Sequence, residues 1–385
     1  MRLIAAGPQL KSSKRLYSLD ALRGIAALSI IFWHWQHMFF NAGLGKIVYV
    51  RSAQPLYPFL RYLYHYGDRA VTLFFVISGF VFYWLYAESI GARTVSPRAF
   101  VSLRISRLFP LHVLTFALVI GLQAVYSGPA HVLFVYPRHD LLLAVKTLLG
   151  VASWLPNSIS GFNGPFWSVS IELLLYLIFF LTCRFVSASL GFALVMVFLG
   201  LALHHLHPEL SQGLKGFFMG GVAYHVFCWI RTRGNALAWV VGSGLGTLAG
   251  WVALAWLAPV LHMDLYPPEP IFAGAVVFAV LAEHRFPTFR TGLSVLGDIS
   301  YSVYLLHFPL QLVFVLVNRA LGGQPEIFYQ TWTLLLFLAV LVPLAFLSYH
   351  GFELPALRFL RGRLERPKVP ASAGLAGVPV LTDNS

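Results

Sequence analysis

The segment LDALRGIAALSIIFWHW places an arginine and a histidine, Arg23 and His34, in one strongly apolar stretch. Eleven residues make almost three helical turns, so in a helix the two side chains share a face and lie about 16 Å apart. A fixed cation at a membrane edge suits an anionic ligand, and a neutral imidazole deeper in the helix suits a general base. The alternative is structural: a snorkelling arginine, and a core histidine that hydrogen-bonds to a neighbouring helix.

A second basic feature is the segment PRAFVSLRISRLFP, which Ser96 and Pro97 open as N-cap and first helical residue. Arg104 and Arg107 are three residues apart and face the same way on a helix. Two guanidinium groups at a membrane edge form a suitable clamp for phosphate. The alternative is that these arginines only follow the preference for positive charge on the cytoplasmic side.

A carboxylate is the third candidate. Glu172 lies in GPFWSVSIELLLYLIFF, about five residues into an apolar stretch that carries no other charge. At that depth a carboxylate must pair, titrate or line a wet cavity. We predict that Glu172 orients His34 or stabilises its charge, which completes a pair of base and orienting group. A structural hydrogen bond to another helix is the alternative.

Weaker signals come from two other apolar segments. Ser78 lies in FFVISGFVFYW, and Tyr301 lies in GDISYSVYLLHFPL together with His307. Ser78 and Tyr301 are candidates for substrate contact, although helix packing is the default interpretation of both segments. No metal site is predicted.

The composition decides which elements hold these residues. The chain has 385 residues, of which 58% are hydrophobic and 11% charged, against about 25% charged in a soluble domain. Its mean hydropathy is +0.74. These values exclude a water-soluble globule and a disordered chain, and they predict a polytopic membrane protein. The 27 Lys and Arg residues flank apolar segments, so the excess of positive charge reflects topology and predicts no nucleic-acid partner.

We predict an all-α fold with about ten transmembrane helices. A further segment, 140–152, is too short and too charged to cross the membrane and is predicted to be re-entrant or interfacial. The ten predicted spans are 20–40, 71–88, 108–127, 166–183, 188–204, 214–230, 236–257, 271–283, 297–317 and 331–350.

The distribution of charge orients these spans. With both termini in the cytoplasm, the cytoplasmic segments hold 18 Lys and Arg residues and the outer segments hold 7, which satisfies the positive-inside rule. The predicted organisation is a basic cytoplasmic N-terminus (1–19), an integral membrane domain (20–350) and a cytoplasmic tail (351–385). The tail is basic at first and then small, polar and rich in Pro and Gly, so its end is predicted to be disordered.

Several short motifs occur together and in order. They are LDALRG with Arg23 and His34, FFVISGF, the pair Arg104 and Arg107 before Pro110, FWSVSIE, SYSVYLLHFP and YHGFELP. Over residues 16–360 this pattern resembles the membrane-bound acyltransferase-3 family, which O-acetylates surface sugars. By length, and by the lack of a fused extracytoplasmic domain, the chain is most similar to bacterial exopolysaccharide O-acetyltransferases.

The resemblance implies an acyl donor, normally acetyl-CoA, that binds from the cytoplasm as a co-substrate without a resident cofactor. It implies a saccharide hydroxyl as the acceptor and the bacterial inner membrane as the location. By the same resemblance His34 is the catalytic histidine, and the donor-binding residues are Arg23, Arg104 and Arg107. Many relatives carry a Gly-Val-Asp-like stretch before FFVISG. This chain has Thr72 in place of the acidic residue, so no role is carried over to Thr72.

Three alternatives stay open. The same chemistry could act on a macrolide or a lipid-linked sugar. A proton-coupled transporter with His34 and Glu172 as its relay predicts internal repeats and broken helices in both halves, and the sequence contains no repeat. A non-catalytic subunit of polysaccharide assembly predicts no binding of coenzyme A.

Overall fold

The structure is a computed structural model that describes residues 15–41, 45, 46, 49–127, 133–156, 158, 161–260, 268–286 and 294–364. This part of the chain is almost entirely helical. The α-helices are, in chain order, α1 (Tyr17–His34), α2 (Tyr57–Tyr66), α3 (Ala70–Gly91), α4 (Pro97–Ser127), α5 (Leu141–Leu148), α6 (Phe166–Phe185), α7 (Leu190–Ala202), α8 (Pro208–Arg231), α9 (Ala236–Val260), α10 (Glu269–Arg285), α11 (Ser294–Asp298), α12 (Ser300–Ala320), α13 (Thr331–Ser348) and α14 (Leu354–Leu364).

Shorter elements connect these helices. A 3₁₀ turn, Trp35–Phe39, continues α1, and the 3₁₀ turn Gly67–Arg69 joins α2 to α3. A π-helical turn, Tyr349–Glu353, joins α13 to α14. The strands β1 (Phe40–Asn41) and β2 (Gly45–Lys46) form a two-residue antiparallel ladder, so the all-α prediction holds for the architecture with this one small exception.

Within the described residues, six helical segments are long and apolar enough to cross a membrane, as judged by length and composition. They are Tyr57–Gly91, Pro97–Ser127, Phe166–Phe185, Ala236–Leu254, Ser300–Ala320 and Thr331–Arg363. Together with the apolar composition, these helices agree with the prediction of an integral membrane protein.

Each of the ten predicted spans coincides for most of its length with one helix, and these helices are α1, α3, α4, α6, α7, α8, α9, α10, α12 and α13. Helices α7 and α10 have 13 and 17 residues, whereas a crossing at right angles to the bilayer takes about 20. The positions of the helices were thus predicted well, while the count of ten crossings and the cytoplasmic side of both termini stay predictions. Residues 1–14 and 365–385, and with them the predicted disorder of the tail, lie outside the described residues.

The segment predicted to be re-entrant or interfacial contains α5, which has only eight residues and a length of about 12 Å. The Asp140 carboxylate caps this helix by accepting the Leu143 N–H at 2.8 Å. This hydrogen bond and the nearby Arg138 lower the pKa of Asp140. After α5 the chain is tied to α6, because the Ser170 hydroxyl donates to the Gly150 carbonyl at 2.9 Å.

Helices α3 and α8 approach each other closely through glycines. A Cβ atom on Gly79 would overlap the Phe217 carbonyl oxygen, and a Cβ atom on Gly220 would overlap that of Val76. Small residues allow this approach of two backbones in a membrane bundle. The contact fixes α3, whose neighbouring residue Ser78 carries one of the candidate side chains.

The beginning of α1 is held in place by carboxylates. Glu283 of α10 accepts the backbone N–H groups of Tyr17 and Ser18 at 3.3 and 2.8 Å, which satisfies two of the free donors at the helix N-terminus. Arg15 pairs with Asp20 and with Asp298 of α11, each at 2.7 Å. These contacts set the position of Arg23, one turn further along α1.

Candidate active site

A cavity opens between α1, α3, α4, α6 and α12. It encloses about 790 Å³ of empty space, part of which is open to solvent. Six of the seven candidate site residues line it: Arg23, Ser78, Arg104, Arg107, Glu172 and Tyr301. We call it the arginine cavity. The fold therefore brings together side chains that lie as far as 278 positions apart in the sequence, and His34 is the candidate that stands apart from the lining.

The arginine cavity is strongly cationic, since three guanidinium groups line it with a single carboxylate, Glu172. Arg23 lies 3.5 Å from Asp20, and its side chain keeps 19% of its surface exposed. Among the described residues no carboxylate lies within salt-bridge distance of Arg104 or Arg107. A partly enclosed site with this excess of positive charge favours an anionic ligand.

Arg104 is held by an aromatic cage. Its guanidinium carbon lies between 4.6 and 5.5 Å from four ring centroids, those of Phe82, Tyr86, Phe100 and Tyr176. Cation–π contacts of this kind fix the plane of the guanidinium without using its N–H donors. The buried Nε of Arg104 has no hydrogen-bond partner among the described residues. Arg107, one turn later, lines the same cavity and is exposed.

Glu172 lies in the cavity wall and joins α6 to α3. Its Oε1 accepts the hydroxyl of Ser78 at 2.8 Å and also the hydroxyl of Tyr176. Tyr301, on α12, donates its hydroxyl to the Leu108 carbonyl at 2.7 Å. Both side chains therefore have defined positions in the wall before any ligand binds.

The predicted orienting contact between Glu172 and His34 is not among the hydrogen bonds of the described residues. The Nδ1 of His34 lies 3.0 Å from the Nε2 of His307, and Glu172 bonds instead to Ser78 and Tyr176. The reason is helix packing: α1 packs on α3, α11 and α12, while α6 packs on α3 and α8. The neighbour of His34 accordingly comes from α12 and not from α6.

His34 belongs to a second group of side chains, which we call the histidine cluster: His34, His37, His307 and Gln311. The rings of His34 and His307 are stacked with centroids 4.9 Å apart, and those of His34 and His37 are 4.7 Å apart. Gln311 donates to the His34 carbonyl at 2.9 Å, and its Oε1 lies 3.3 Å from the Nδ1 of His37. His307 and Gln311 are fully buried, whereas His34 is half-buried.

Tyr304 connects the two regions. It lines the arginine cavity, and its ring centroid lies 5.9 Å from that of His307. Its hydroxyl lies 2.7 Å from the Ser168 hydroxyl and donates to the Pro165 carbonyl at 2.8 Å. The wall of the cavity and the histidine cluster thus share one turn of α12.

Sequence reasoning noted His307 and Tyr304 in an apolar span but missed their roles in the site, and it missed Tyr176 and Gln311 altogether. His307 carried the same signal that selected His34, an ionisable side chain in an apolar span. The other three carry no such signal, because a tyrosine or glutamine in an apolar helix is indistinguishable from a packing residue until its neighbours are known.

Comparison with known proteins gives the family. A family model described as an acyltransferase domain matches residues 16–350. The chain belongs to the membrane-bound acyltransferase-3 family. This confirms the resemblance found in the motifs, and it makes the protein a membrane-embedded acyltransferase.

Two curated relatives align with this acyltransferase over nearly their whole length. The acyltransferase MdmB of Streptomyces mycarofaciens is 28% identical over 388 aligned residues, which cover 91% of this chain and 93% of the relative. The exopolysaccharide production protein ExoZ of Rhizobium meliloti (strain 1021) is 27% identical over 334 residues, which cover 81% and 94%. No solved structure matches the chain.

Proposed function

We propose that this acyltransferase moves an acyl group, acetyl in the simplest case, from acyl-coenzyme A to a hydroxyl of a cell-envelope or exopolysaccharide sugar. The observation that carries the proposal is the convergence of Arg23, Arg104 and Arg107 on one cavity. Glu172 is the single carboxylate in the cavity lining, and Asp20 pairs with Arg23 alone among these three arginines. The remaining excess of positive charge in a membrane bundle favours an anionic ligand.

The donor supplies that charge. Coenzyme A carries several phosphate groups at one end and the reactive thioester at the other. Guanidinium groups bind phosphate through charge-assisted and often bidentate hydrogen bonds. Arg104 keeps free N–H groups in a fixed plane, and the exposed Arg107 lies at the same wall. We assign the phosphates to these arginines and to Arg23, with acyl-CoA entering as a co-substrate.

His34 is the proposed general base. A sugar hydroxyl is a poor nucleophile until its proton is removed in the transition state. The Nε2 of His34 takes that proton while the hydroxyl oxygen forms a bond to the thioester carbonyl carbon. The carbon–sulfur bond then breaks, the coenzyme A thiolate leaves, and the proton on His34 neutralises it. A site with little water limits hydrolysis of the thioester.

The remaining candidates act on the donor side. Glu172, with the hydroxyl groups of Ser78 and Tyr176, is assigned to shaping the wall of the arginine cavity. Tyr301 is assigned to the same wall, on α12. None of these four residues is given a role in proton transfer, because the hydrogen-bond partners of His34 lie on α12.

The saccharide acceptor is supported by the name of one relative, an exopolysaccharide production protein. A macrolide and a lipid-linked sugar are the competing acceptors. The decisive experiment incubates the purified protein with radiolabelled acetyl-CoA and, in separate arms, exopolysaccharide, a macrolide and a lipid-linked sugar. We expect label in the exopolysaccharide arm only, and none in that arm with His34→Ala. Absence of label from all three arms would overturn the proposal.

The proposed location is the bacterial inner membrane, with both termini and the mouth of the arginine cavity on the cytoplasmic side. Single cysteines at the exposed positions Arg61 and Arg363 test this in a chain whose Cys183 and Cys228 are replaced by alanine. We expect an impermeant thiol reagent to label Arg61→Cys from outside, and Arg363→Cys only after the membrane is opened. Labelling of both from one side would exclude the ten-span topology.

A further inference from the structure

A hydrogen bond joins the imidazole rings of His34 and His307, whose planes are nearly parallel. The Nδ1 of His34 lies 3.0 Å from the Nε2 of His307, and the ring planes are 18° apart. His307 is fully buried in the bundle. Whether both rings are neutral or one of them is an imidazolium, one nitrogen of this pair must donate its N–H and the other must accept.

The role of His34 as a general base decides the direction of this hydrogen bond. A general base needs a free lone pair on the nitrogen that faces the substrate. The Nδ1 of His34 is occupied by His307, and none of the described residues hydrogen-bonds to its Nε2. Nε2 is then the nitrogen that can reach a hydroxyl, and it accepts a proton only if the ring hydrogen resides on Nδ1. In that tautomer the Nδ1–H donates and the His307 Nε2 accepts.

Helix α12, which carries His307, also fixes the backbone of His34. Gln311, one turn after His307 on α12, donates to the His34 carbonyl at 2.9 Å. His34 is the last residue of α1, where carbonyl groups have no partner within the helix. Two side chains of α12 thus hold the ring and the carbonyl of one residue, so the orientation of the imidazole is set from a single rigid element.

We propose that His307 is the positioning residue for the base. By accepting the Nδ1–H of His34 it selects the tautomer whose Nε2 is free, and it stabilises the imidazolium that forms when the acceptor hydroxyl loses its proton. This role is the one that the sequence assigned to Glu172. The proposal rests on the proposed function of His34 as general base, and it adds the residue that makes His34 competent.

The arrangement resembles other base–orienter pairs in which a buried group bonds to the nitrogen opposite the reacting one. Here the orienting group is a neutral imidazole. A neutral orienter needs no counter-charge in the apolar bundle, unlike a carboxylate at the same place, which would be costly when unpaired.

Two variants at one position separate positioning from structure. His307→Leu removes the acceptor, and we expect kcat to fall about tenfold or more, since one hydrogen bond to the base is lost. His307→Gln keeps an amide oxygen close to the place of Nε2, and we expect it to restore kcat to within a few-fold of the wild type. The KM for acetyl-CoA should stay unchanged in both, because the arginine cavity is untouched.

His225→Leu is the matched control. Like His307→Leu, it replaces a histidine of a predicted membrane helix and removes one hydrogen bond, that of His225 to the Ala188 carbonyl at 2.9 Å. Unlike His307, His225 makes no hydrogen bond to His34. We expect its kcat to stay near the wild-type value. Equal losses in His307→Leu and His225→Leu, or a failure of His307→Gln to restore kcat while the protein remains folded, would overturn the positioning role.

A double variant distinguishes failure of this inference from failure of the proposed function. If His307 acts through His34, the pair His34→Ala and His307→Leu should be no slower than His34→Ala alone. An additional loss in the double variant contradicts the inference alone. Full activity of His34→Ala contradicts the general base and with it this inference, whereas absence of transfer by the wild-type protein contradicts the proposed function.

Discussion

The arginine cavity and the histidine cluster differ in charge, in access and in construction. The cavity draws side chains from five helices, carries three guanidinium groups and is partly open to solvent. The cluster is built by the end of α1, the turn after it and α12, and hydrogen bonds among its own members hold it together. The first region suits a large anionic ligand, and the second suits the transfer of a proton.

This difference assigns separate tasks to the two regions. A change in the arginine cavity should alter the affinity for the donor, and a change in the histidine cluster should alter the rate of transfer. Tyr304 is the point where they meet, since it lines the cavity and packs beside His307. The predictions below test whether affinity and rate do separate in this way.

The largest effect is expected for His34→Ala. Removal of a general base costs about 10²–10⁴-fold in rate, and we expect transfer to fall by this amount. The affinity for acetyl-CoA should change little, because His34 does not line the arginine cavity. Single-turnover transfer of radiolabelled acetyl groups measures the rate, and equilibrium binding of acetyl-CoA measures the affinity.

Trp33 supplies the control at the neighbouring position. Its side chain is half-buried on α1 and contacts Arg51 rather than the histidine cluster, so Trp33→Phe should transfer acetyl groups at close to the wild-type rate. Wild-type transfer by a well-folded His34→Ala protein would contradict the mechanism.

The second effect is expected for Arg104→Ala. A charge-assisted hydrogen bond contributes about 1.5–3 kcal/mol, which corresponds to roughly a ten- to hundred-fold loss of affinity. We expect the Kd for acetyl-CoA to rise by this factor, with little change of kcat at saturating donor. Calorimetric titration in detergent or nanodiscs measures the Kd.

Arg98→Ala is the matched control, because Arg98 is exposed on the same helix and does not line the cavity. Its Kd should equal that of the wild type. If a correctly inserted Arg104→Ala protein binds acetyl-CoA as tightly as the wild type, the arginines serve topology only.

These two regions also show which features of the site could be predicted from the sequence. Spacing alone put Arg104 and Arg107 on one helix face, and the local motif marked Arg23 and His34. Apolar periodicity located the helices because it is a property of each segment by itself. The pairing of His34 with His307 depends on which helix packs beside α1, over a separation of 273 residues. No local pattern contains that information, and for the same reason the sequence did not predict Ser78 and Tyr176 as the hydrogen-bond partners of Glu172.

A third and more moderate effect concerns the wall of the cavity. Gly79→Ala places a methyl group against the Phe217 carbonyl, a backbone atom that cannot rotate away. Overpacking of this kind costs about 1–3 kcal/mol, so we expect a lower apparent Tm and weaker donor binding as α3 shifts. Gly121→Ala lies inside α4, where an added Cβ meets no atom within 4 Å and alanine favours the helix, so it should not lower the Tm. Equal Tm values for the two variants would contradict the close approach of α3 and α8.

The smallest effect is expected for Glu172→Gln, and it separates the two regions most sharply. If Glu172 oriented His34, loss of its charge would reduce kcat strongly, as replacement of the acidic orienter by its amide does in serine proteases, by about 10⁴-fold. In the structure its Oε1 accepts two hydroxyl groups in the cavity wall, and an amide oxygen can accept the same two hydrogen bonds.

We therefore expect Glu172→Gln to change kcat by no more than a few-fold. Any larger change should appear in the affinity for the donor, and it should be a gain, because the variant removes the one carboxylate that opposes three arginines in the cavity. Kinetics at varied acetyl-CoA concentration separate the two parameters, and Glu172→Leu, which removes both accepted hydrogen bonds, shows how much of any effect is structural. A large fall of kcat at constant KM would show that Glu172 acts on His34 after all, and it would contradict the division of tasks between the two regions.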